Sequence, residues 1–321
     1  MEICDKSVLV TGGAGFIGSY LVDHLIFERP EKLIVVDNLS LGKENNLKEA
    51  KNNFKDLIFY KENVENTKVM KKIFKKYQID VVFNLAVVPL PASLEFPKKT
   101  TEVNINIVTN LCELQRKDYF KTLIHFSSSE VYGSAKKIPM DEKHPLTPET
   151  PYAASKAAGD LIIVSYNNTF NTDFSIIRPF NNYGPRQNEG TYAGVIPITL
   201  KRIFSGEAPI IYGDGEQTRD YIYVTDTTKA SIDIYKNEKT RSNIINIGSG
   251  KEISVRELIN KIVDLTDCKK EIIFKKPRPG DVRRHLADIK TAQKILNYKP
   301  IVKFDEGLKK TIEWYKKTFK D

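Results

Sequence analysis

The chain has 321 residues, of which 40% are hydrophobic and 28% charged, so it can bury a sizeable core and is long enough for two domains of about 150 residues. Its formal charge is +9, but the basic residues are dispersed and their densest runs fit the solvated face of a helix, so we expect no nucleic-acid partner. No apolar run reaches about 18 residues, so no membrane span is predicted.

The expected location of the protein follows from its N-terminal sequence and its cysteines. Met1–Asp5 leads directly into a predicted strand and leaves no room for a signal peptide. Cys4, Cys112 and Cys268 are scattered, which predicts neither a disulfide framework nor a zinc site, and the histidines show no metal-ligand spacing. We therefore expect a cytoplasmic protein without a bound metal.

The first half of the chain alternates predicted strands with predicted helices. The strands are Ser7–Thr11, Leu33–Val36, Leu57–Tyr60, Val81–Phe83, Leu123–Phe126 and Phe174–Ile177. The helices are Gly15–Phe27, Lys68–Tyr77, Thr101–Leu114 and Tyr152–Thr169. Nearly continuous apolar strands separated by helices are typical of a parallel sheet covered on both faces. The pattern predicts an α/β fold of the doubly wound Rossmann type.

The character of the sequence changes after Pro179, where glycine and proline become frequent and the alternation stops. Asn181–Gly194 and Pro277–Asp281 are predicted to be long ordered loops, which are usually functional in a compact protein. We expect a Rossmann domain over residues 1–180, joined again by part of residues 224–250. Residues 181–321 are predicted to form a smaller α/β lobe that binds substrate.

Three glycines at intervals of three residues lie between the first strand and the first helix. Gly12, Gly15 and Gly18 fit the turn that brings backbone close to a pyrophosphate at a helix N-terminus. Asp37 closes the second strand about twenty residues further on, where an acid can bind both ribose hydroxyls of NAD. A carboxylate there would repel the extra phosphate of NADP, so NAD is predicted. The alternative is that Asp37 only caps the following turn.

Tyr152 and Lys156 are one helical turn apart on one face of a predicted helix. A nearby ammonium and a positive nicotinamide ring would favour the tyrosine phenolate, which can then take a proton from a substrate hydroxyl. Ser127–Ser129 follows the fifth strand, at the edge where open α/β sheets bind ligands. A serine there can share a hydrogen bond with the reacting oxygen.

Together these motifs resemble a known family over nearly the whole chain, namely the extended short-chain dehydrogenases/reductases of the nucleotide-sugar epimerase/dehydratase group. The motifs are TGGAGFIGS at residues 11–19, Asp37, NLA at 84–86, SSSEVYG at 127–133, YAASK at 152–156, RPFNNYGPRQ at 178–187, GDGEQTRDYIYVTD at 213–226 and PRPGD at 277–281. The resemblance implies NAD as cofactor and a nucleoside-diphosphate sugar as substrate.

The resemblance also implies roles for individual residues. Ser128, Tyr152, Lys156 and Glu130 are the expected catalytic residues. The residues expected around NAD are Gly12, Gly15, Phe16, Ile17, Gly18, Asp37, Asn38, Ser40, Asn63, Val64, Leu85, Ala86, Val87, Tyr152, Lys156 and Pro179. Those expected around the substrate are Pro89, Ser128, Ser129, Glu130, Asn181, Arg186, Arg219, Arg278 and Asp281, the arginines being suited to phosphate.

Three departures from the family pattern bear on cofactor and reaction. Asn63 lies where the family usually has Gly-Asp, and its amide oxygen is expected to bind the adenine amino group. Ser129 and Glu130 replace the Asp-Glu pair of the 4,6-dehydratases, so dehydration is disfavoured. Uronate decarboxylases share the serine and glutamate but need an arginine that the sequence does not identify. The loop Val87–Ser93 is stiff and apolar, which suggests an unusual sugar.

The expected reaction is NAD-dependent oxidation at C4 of the sugar, followed by reduction on the other face, as in a 4-epimerase. The alternative is a net 4-dehydrogenase that releases the 4-keto sugar, since the chain also resembles nucleotide-heptose dehydrogenases of capsule biosynthesis, with GDP-heptose as an example. A non-catalytic NAD-binding module is disfavoured because Ser128, Tyr152 and Lys156 are all present. In similar proteins the helices predicted at Thr101–Leu114 and Tyr152–Thr169 pair with their copies, so a homodimer is expected.

Overall fold

The computed structural model describes residues 1–190, 193–278, 280 and 282–319. The strands in this part of the chain are β1 (Ser7–Thr11), β2 (Lys32–Val36), β3 (Leu57–Tyr60), β4 (Val81–Asn84), β5 (Thr122–Phe126), β6 (Asp173–Pro179), β7 (Asn181–Tyr183), β8 (Ile210–Tyr212), β9 (Thr218–Tyr223), β10 (Asn243–Ile247), β11 (Glu252–Ser254) and β12 (Ile273–Lys275). The α-helices are α1 (Phe16–Phe27), α2 (Lys48–Asn53), α3 (Thr67–Tyr77), α4 (Leu90–Glu95), α5 (Pro97–Arg116), α6 (Pro151–Phe170), α7 (Val195–Phe204), α8 (Val224–Lys236), α9 (Val255–Thr266), α10 (Lys290–Leu296) and α11 (Phe304–Thr318).

A parallel sheet in the order β10-β6-β5-β4-β1-β2-β3 forms the centre of the molecule. Its strands are buried on both faces: Val8 and Val10 of β1 pack into one apolar cluster and Leu9 into the opposite one. Burying each such side chain contributes roughly 1.5–3 kcal/mol. The predicted doubly wound Rossmann sheet is therefore confirmed.

The predicted strands and helices of the first half are confirmed, with boundaries shifted by a few residues. The largest shift is at α5, which begins at Pro97 because proline fits the first turn of a helix. Helices α5 and α6 pack side by side. Thr150 caps α6 by accepting a hydrogen bond from the Ala153 amide at 3.2 Å, which fixes the helical turn that presents Tyr152.

The remaining strands form two small sheets, in the orders β11-β9-β7 and β12-β8. They surround a separate apolar cluster that includes Tyr183, Leu200, Leu258 and Leu308. Strand β10 instead lies beside β6 in the large sheet, and α8 packs against α1.

The prediction of a continuous loop over Asn181–Gly194 is wrong at its start. Residues 181–183 form β7, which pairs with β9, and a strand of three residues is too short to produce a readable alternation. In the second predicted loop, residues 277, 278 and 280 belong to no strand or helix, while residues 279 and 281 lie outside the described residues.

Candidate active site

The turn between β1 and α1 is packed so closely that side chains would not fit. Gly12 has φ +67°, and a Cβ built on it would lie 2.8 Å from the Ala86 nitrogen. A Cβ on Gly18 would lie 2.2 Å from the Gly12 carbonyl oxygen. Glycine is required here for both conformation and space, which leaves backbone N–H groups at the start of α1 accessible to a phosphate.

Asp37, at the end of β2, is buried against this turn. Its Oδ2 accepts a hydrogen bond from the Ala14 amide at 3.0 Å, and its Oδ1 accepts one from the Leu39 amide at 2.8 Å. Burial raises the pKa of the carboxyl, and these backbone donors oppose the shift. Asp37 therefore caps its turn and also lines the cavity described next, so the two interpretations of this residue do not exclude each other.

One cavity of 430 Å³ extends from the glycine turn past the carboxyl ends of β4 and β5. Every residue that the sequence placed around NAD lines this cavity. A glycine cradle at one end, with a tyrosine and a lysine at the other, fits a dinucleotide. The amide oxygen of Asn63 already accepts a hydrogen bond from Asn38 Nδ2 at 2.7 Å, so the expected contact to adenine would have to share this acceptor.

Ser128, Tyr152 and Lys156 meet in the same cavity. The Ser128 hydroxyl accepts a hydrogen bond from the Glu130 amide at 3.2 Å, and it lies near enough to the Tyr152 phenol to lower the pKa of that phenol. The Lys156 ammonium donates to the carbonyl of Phe126, the last residue of β5. The end of β5 and the first turns of α6 thus bring a hydroxyl, a phenol and an ammonium together.

The electrostatics of this group oppose ionisation of the tyrosine. Burial raises the pKa of Tyr152 to about 12. The Ser128 hydroxyl lowers this pKa, and the negative charges of Glu130 and Asp160 raise it. Burial lowers the pKa of Lys156 to about 8, against the attraction of Asp160. At neutral pH the lysine is mostly an ammonium and the tyrosine a neutral phenol, so the phenolate requires additional positive charge.

A second cavity of 330 Å³ lies on the side of the small lobe. Glu130, Asn181, Arg219 and Arg278, four of the residues expected around the substrate, line it. The Arg278 guanidinium lies 3.9 Å from the centroid of the Tyr212 ring. Asn182 and Gln187 line both cavities, so the two cavities adjoin at these residues.

Comparison with known proteins assigns the family. Residues 9–311 match the family model described as GDP-mannose 4,6 dehydratase. UDP-glucose 4-epimerase from Mycolicibacterium smegmatis is 35% identical over 310 residues, covering 96% of this chain and 98% of that protein. The chain belongs to the nucleotide-sugar epimerase/dehydratase family of extended short-chain dehydrogenases/reductases.

Solved structures support the same assignment for fold and cofactor. UDP-glucose 4-epimerase from Thermotoga maritima, crystallised with UDP-glucose, has a TM-score of 0.91 and 35% identity, with 98% of this chain and 99% of that chain covered. The Thermus thermophilus UDP-glucose 4-epimerase complex with NAD has a TM-score of 0.87 and 29% identity, with 96% of this chain and 98% of that chain covered. This family is NAD-dependent, and NAD is the cofactor of this member.

Other expected substrate residues of this family member lie elsewhere. Pro89 and Ser128 line the cofactor cavity. Arg186 also lines that cavity rather than the second one, because its Nη1 pairs with Asp23 at 2.6 Å on α1. Ser129 is buried and lines neither cavity. Asp281 lies outside the described residues.

Several buried polar residues around the site were not predicted to take part in it. Thr11 Oγ accepts hydrogen bonds from the Leu85 and Ala86 amides and donates to Asn84 Oδ1 at 2.7 Å. Asn84 Nδ2 donates to His125 Nδ1 at 2.9 Å. These hydrogen bonds hold the Leu85–Ala86 wall of the cofactor cavity in place. A polar residue inside each of three otherwise apolar strands was the sequence signal from which they could have been predicted. His125 is itself buried in the core.

No group of histidine, cysteine, aspartate and glutamate within the described residues is arranged to hold a metal ion. Among the same residues, no helix is long and apolar enough to span a membrane.

Proposed function

We propose that this protein is a nucleoside-diphosphate-sugar 4-epimerase that acts through a 4-keto intermediate. The observation that supports it most directly is that Ser128, Tyr152 and Lys156 line the cofactor cavity together, while Glu130, whose amide donates to the Ser128 hydroxyl, lines the second cavity. A sugar whose diphosphate lies near Asn181 and Arg219 would present a ring hydroxyl to the serine and tyrosine. The cofactor would lie on the other side.

The proton chemistry belongs to the protein's own side chains. When bound, NAD supplies the acceptor for the hydrogen that leaves C4. Tyr152 takes the proton of the O4 hydroxyl, and Ser128 holds that oxygen by a hydrogen bond. The positive charges of Lys156 and of the oxidised nicotinamide ring offset the burial that keeps the pKa of Tyr152 near 12.

The residues beside the catalytic serine favour epimerisation over loss of water. Ser129 occupies the place of the dehydratase aspartate and is buried outside both cavities, so it offers no acid to a leaving hydroxyl. Reduction of the 4-keto sugar on its other face then completes the cycle. The epimerase relatives from M. smegmatis and T. maritima support UDP-glucose as the first substrate to test.

The apolar wall of the substrate cavity keeps one alternative open. Leu90, Pro91 and Leu94 line the cavity next to Glu130, which would suit an unusual sugar such as the heptose of a net GDP-heptose 4-dehydrogenase. The two reactions differ in their redox balance. An epimerase incubated with substrate and NAD accumulates no reduced cofactor, whereas a dehydrogenase forms one NADH for each 4-keto sugar released. Ultraviolet absorbance of NADH over many turnovers distinguishes them, and steady accumulation contradicts the epimerase proposal.

Changing Asp37 is expected to narrow the preference for NAD over NADP. Asp37→Asn keeps an oxygen for the Ala14 amide but removes the charge that repels a ribose phosphate, so the ratio of the two affinities should fall about tenfold. Asp37→Ala should weaken NAD more than NADP as well. Calorimetric titration with both cofactors measures this, and an equal loss of affinity for both would contradict a ribose role.

We also propose that the protein is a homodimer formed through α5 and α6. Leu161 of α6 is 61% exposed, and in similar proteins the helices that correspond to α5 and α6 pair with their copies. Leu161→Glu should shift the molar mass measured by light scattering from dimer to monomer. A wild-type protein that is monomeric at micromolar concentration would contradict the proposal.

A further inference from the structure

Asp160 lies one helical turn after Lys156, on the buried side of α6, and is 1% exposed. Its Oδ2 accepts a hydrogen bond from the Ser127 hydroxyl and another from Arg178 Nε, both at 2.9 Å. Asp160 lines neither cavity. Any influence on the reaction must therefore pass through neighbouring side chains.

The Asp160 carboxylate joins the elements that present the catalytic groups. Ser127 directly precedes Ser128, and Arg178 on β6 directly precedes Pro179, which lines the cofactor cavity. The Lys156 ammonium donates to the carbonyl of Phe126, the residue before Ser127. Lys156 and Asp160 thus hold the same short segment from successive turns of one helix, which fixes Ser128 relative to Tyr152.

The Asp160 carboxylate also supplies a negative charge that attracts the buried Lys156 ammonium. Burial disfavours the Lys156 ammonium, and the attraction of Asp160 opposes this effect on its pKa. Arg178 pairs with Asp160 at 2.9 Å and also donates to the Tyr132 hydroxyl at 3.0 Å.

The other titratable and charged groups around this pair come from several elements. They are His125 on β5, which burial and Lys156 keep neutral, Tyr152 on α6, Glu130 and Tyr132 after β5, and Glu142, whose carbonyl faces Arg178. The attraction that favours the ammonium form of Lys156 comes from Asp160.

We propose that Asp160 is a positioning residue that holds the Ser128 segment against Tyr152 and supplies a negative charge one helical turn from Lys156. The inference rests on the proposed C4 oxidation, in which the charge of Lys156 favours the Tyr152 phenolate. Asp160 itself touches neither the sugar nor the cofactor.

The direct test is the titration of Lys156 in the NAD-loaded enzyme with and without the Asp160 charge. Asp160→Asn keeps an oxygen for Ser127 and nearly the same shape. Carbon-13 NMR of protein labelled at the lysine ε carbons follows each ammonium, and the signal absent from Lys156→Arg identifies Lys156. We expect its midpoint in Asp160→Asn to fall by about one pH unit or more. The alkaline limb of the kcat profile should move with it, so that kcat falls about tenfold at mildly alkaline pH while KM for the sugar stays the same.

Two further variants distinguish the effect of the Asp160 charge on the Lys156 midpoint from effects of altered folding and of a lost hydrogen bond. Because Asp160→Asn leaves the buried Arg178 without its carboxylate, Asp160→Asn/Arg178→Gln removes both charges; the Lys156 midpoint should still fall, by less than in the single variant, because a repelling charge is lost as well. Ser127→Ala removes one hydrogen bond but keeps the carboxylate, so the Lys156 midpoint should not change. An unchanged midpoint in both Asp160 variants would overturn the inference. Because this readout needs no sugar, a wild-type enzyme inactive on every nucleotide sugar would contradict the proposed function alone.

Discussion

Tyr152→Phe is expected to lower kcat about a thousandfold while NAD remains bound, because the variant keeps the ring but loses the hydroxyl that takes the O4 proton. Tyr152 lines the same cavity as Ser128 and Lys156, and the Ser128 hydroxyl lowers the pKa of its phenol. Calorimetric titration of NAD and steady-state rates with the nucleotide sugar measure the two effects separately.

Tyr166→Phe is the matched control for this prediction because it removes a hydroxyl from the same helix. The Tyr166 hydroxyl donates to Glu113 Oε1 at 2.9 Å and lines neither cavity. This variant should keep kcat within about twofold of wild type. Full activity in Tyr152→Phe would remove the tyrosine from the mechanism.

Gly12→Ala is expected to weaken NAD binding at least about a hundredfold, a loss of roughly 2.7 kcal/mol. The new Cβ would lie 2.8 Å from the Ala86 nitrogen and 2.9 Å from the Leu85 carbonyl carbon. Both neighbours are backbone atoms of the cofactor cavity wall, so relief of the clash must displace that wall. Calorimetry or fluorescence titration with NAD provides the dissociation constant.

Gly206→Ala separates this crowding from backbone strain. Gly206 has φ +72°, close to the +67° of Gly12, but a Cβ there meets no heavy atom within 4 Å. Both variants therefore place alanine in a left-handed conformation, and only one of them presses on the cavity. NAD affinity should be unchanged in Gly206→Ala; similar affinities in the two variants would show that the glycine turn does not shape the cofactor site.

The Rossmann sheet could be predicted from sequence because strands buried on both faces are nearly continuously apolar, as in LIVV of β2. The residues of the cofactor cavity could also be predicted, because they follow the ends of those strands. Contacts between segments far apart in sequence could not be predicted. The pairing of β7 with β9 and the attraction of Arg186 to Asp23 depend on side chains and strands far apart in sequence.

The buried pair of Asp160 and Arg178 shows the same limit. Asp160 shares its helix with Lys156 and Arg178 shares its strand with Asp173, and that pattern alone does not identify the partner. Their separation of 18 residues becomes a 2.9 Å contact only because β6 lies beside β5 and under α6. A charge inside an apolar element was the available signal, because burial requires a partner for it.

C4 epimerisation is tested most directly by proton NMR of UDP-glucose incubated with the NAD-loaded enzyme, followed by GDP- and dTDP-sugars. We expect the H4 coupling of one sugar to change to that of its C4 epimer, with no new methyl signal. A new methyl signal would indicate dehydration, and a 4-keto sugar formed with an equal amount of NADH would indicate a dehydrogenase. Either result would contradict the proposed epimerase.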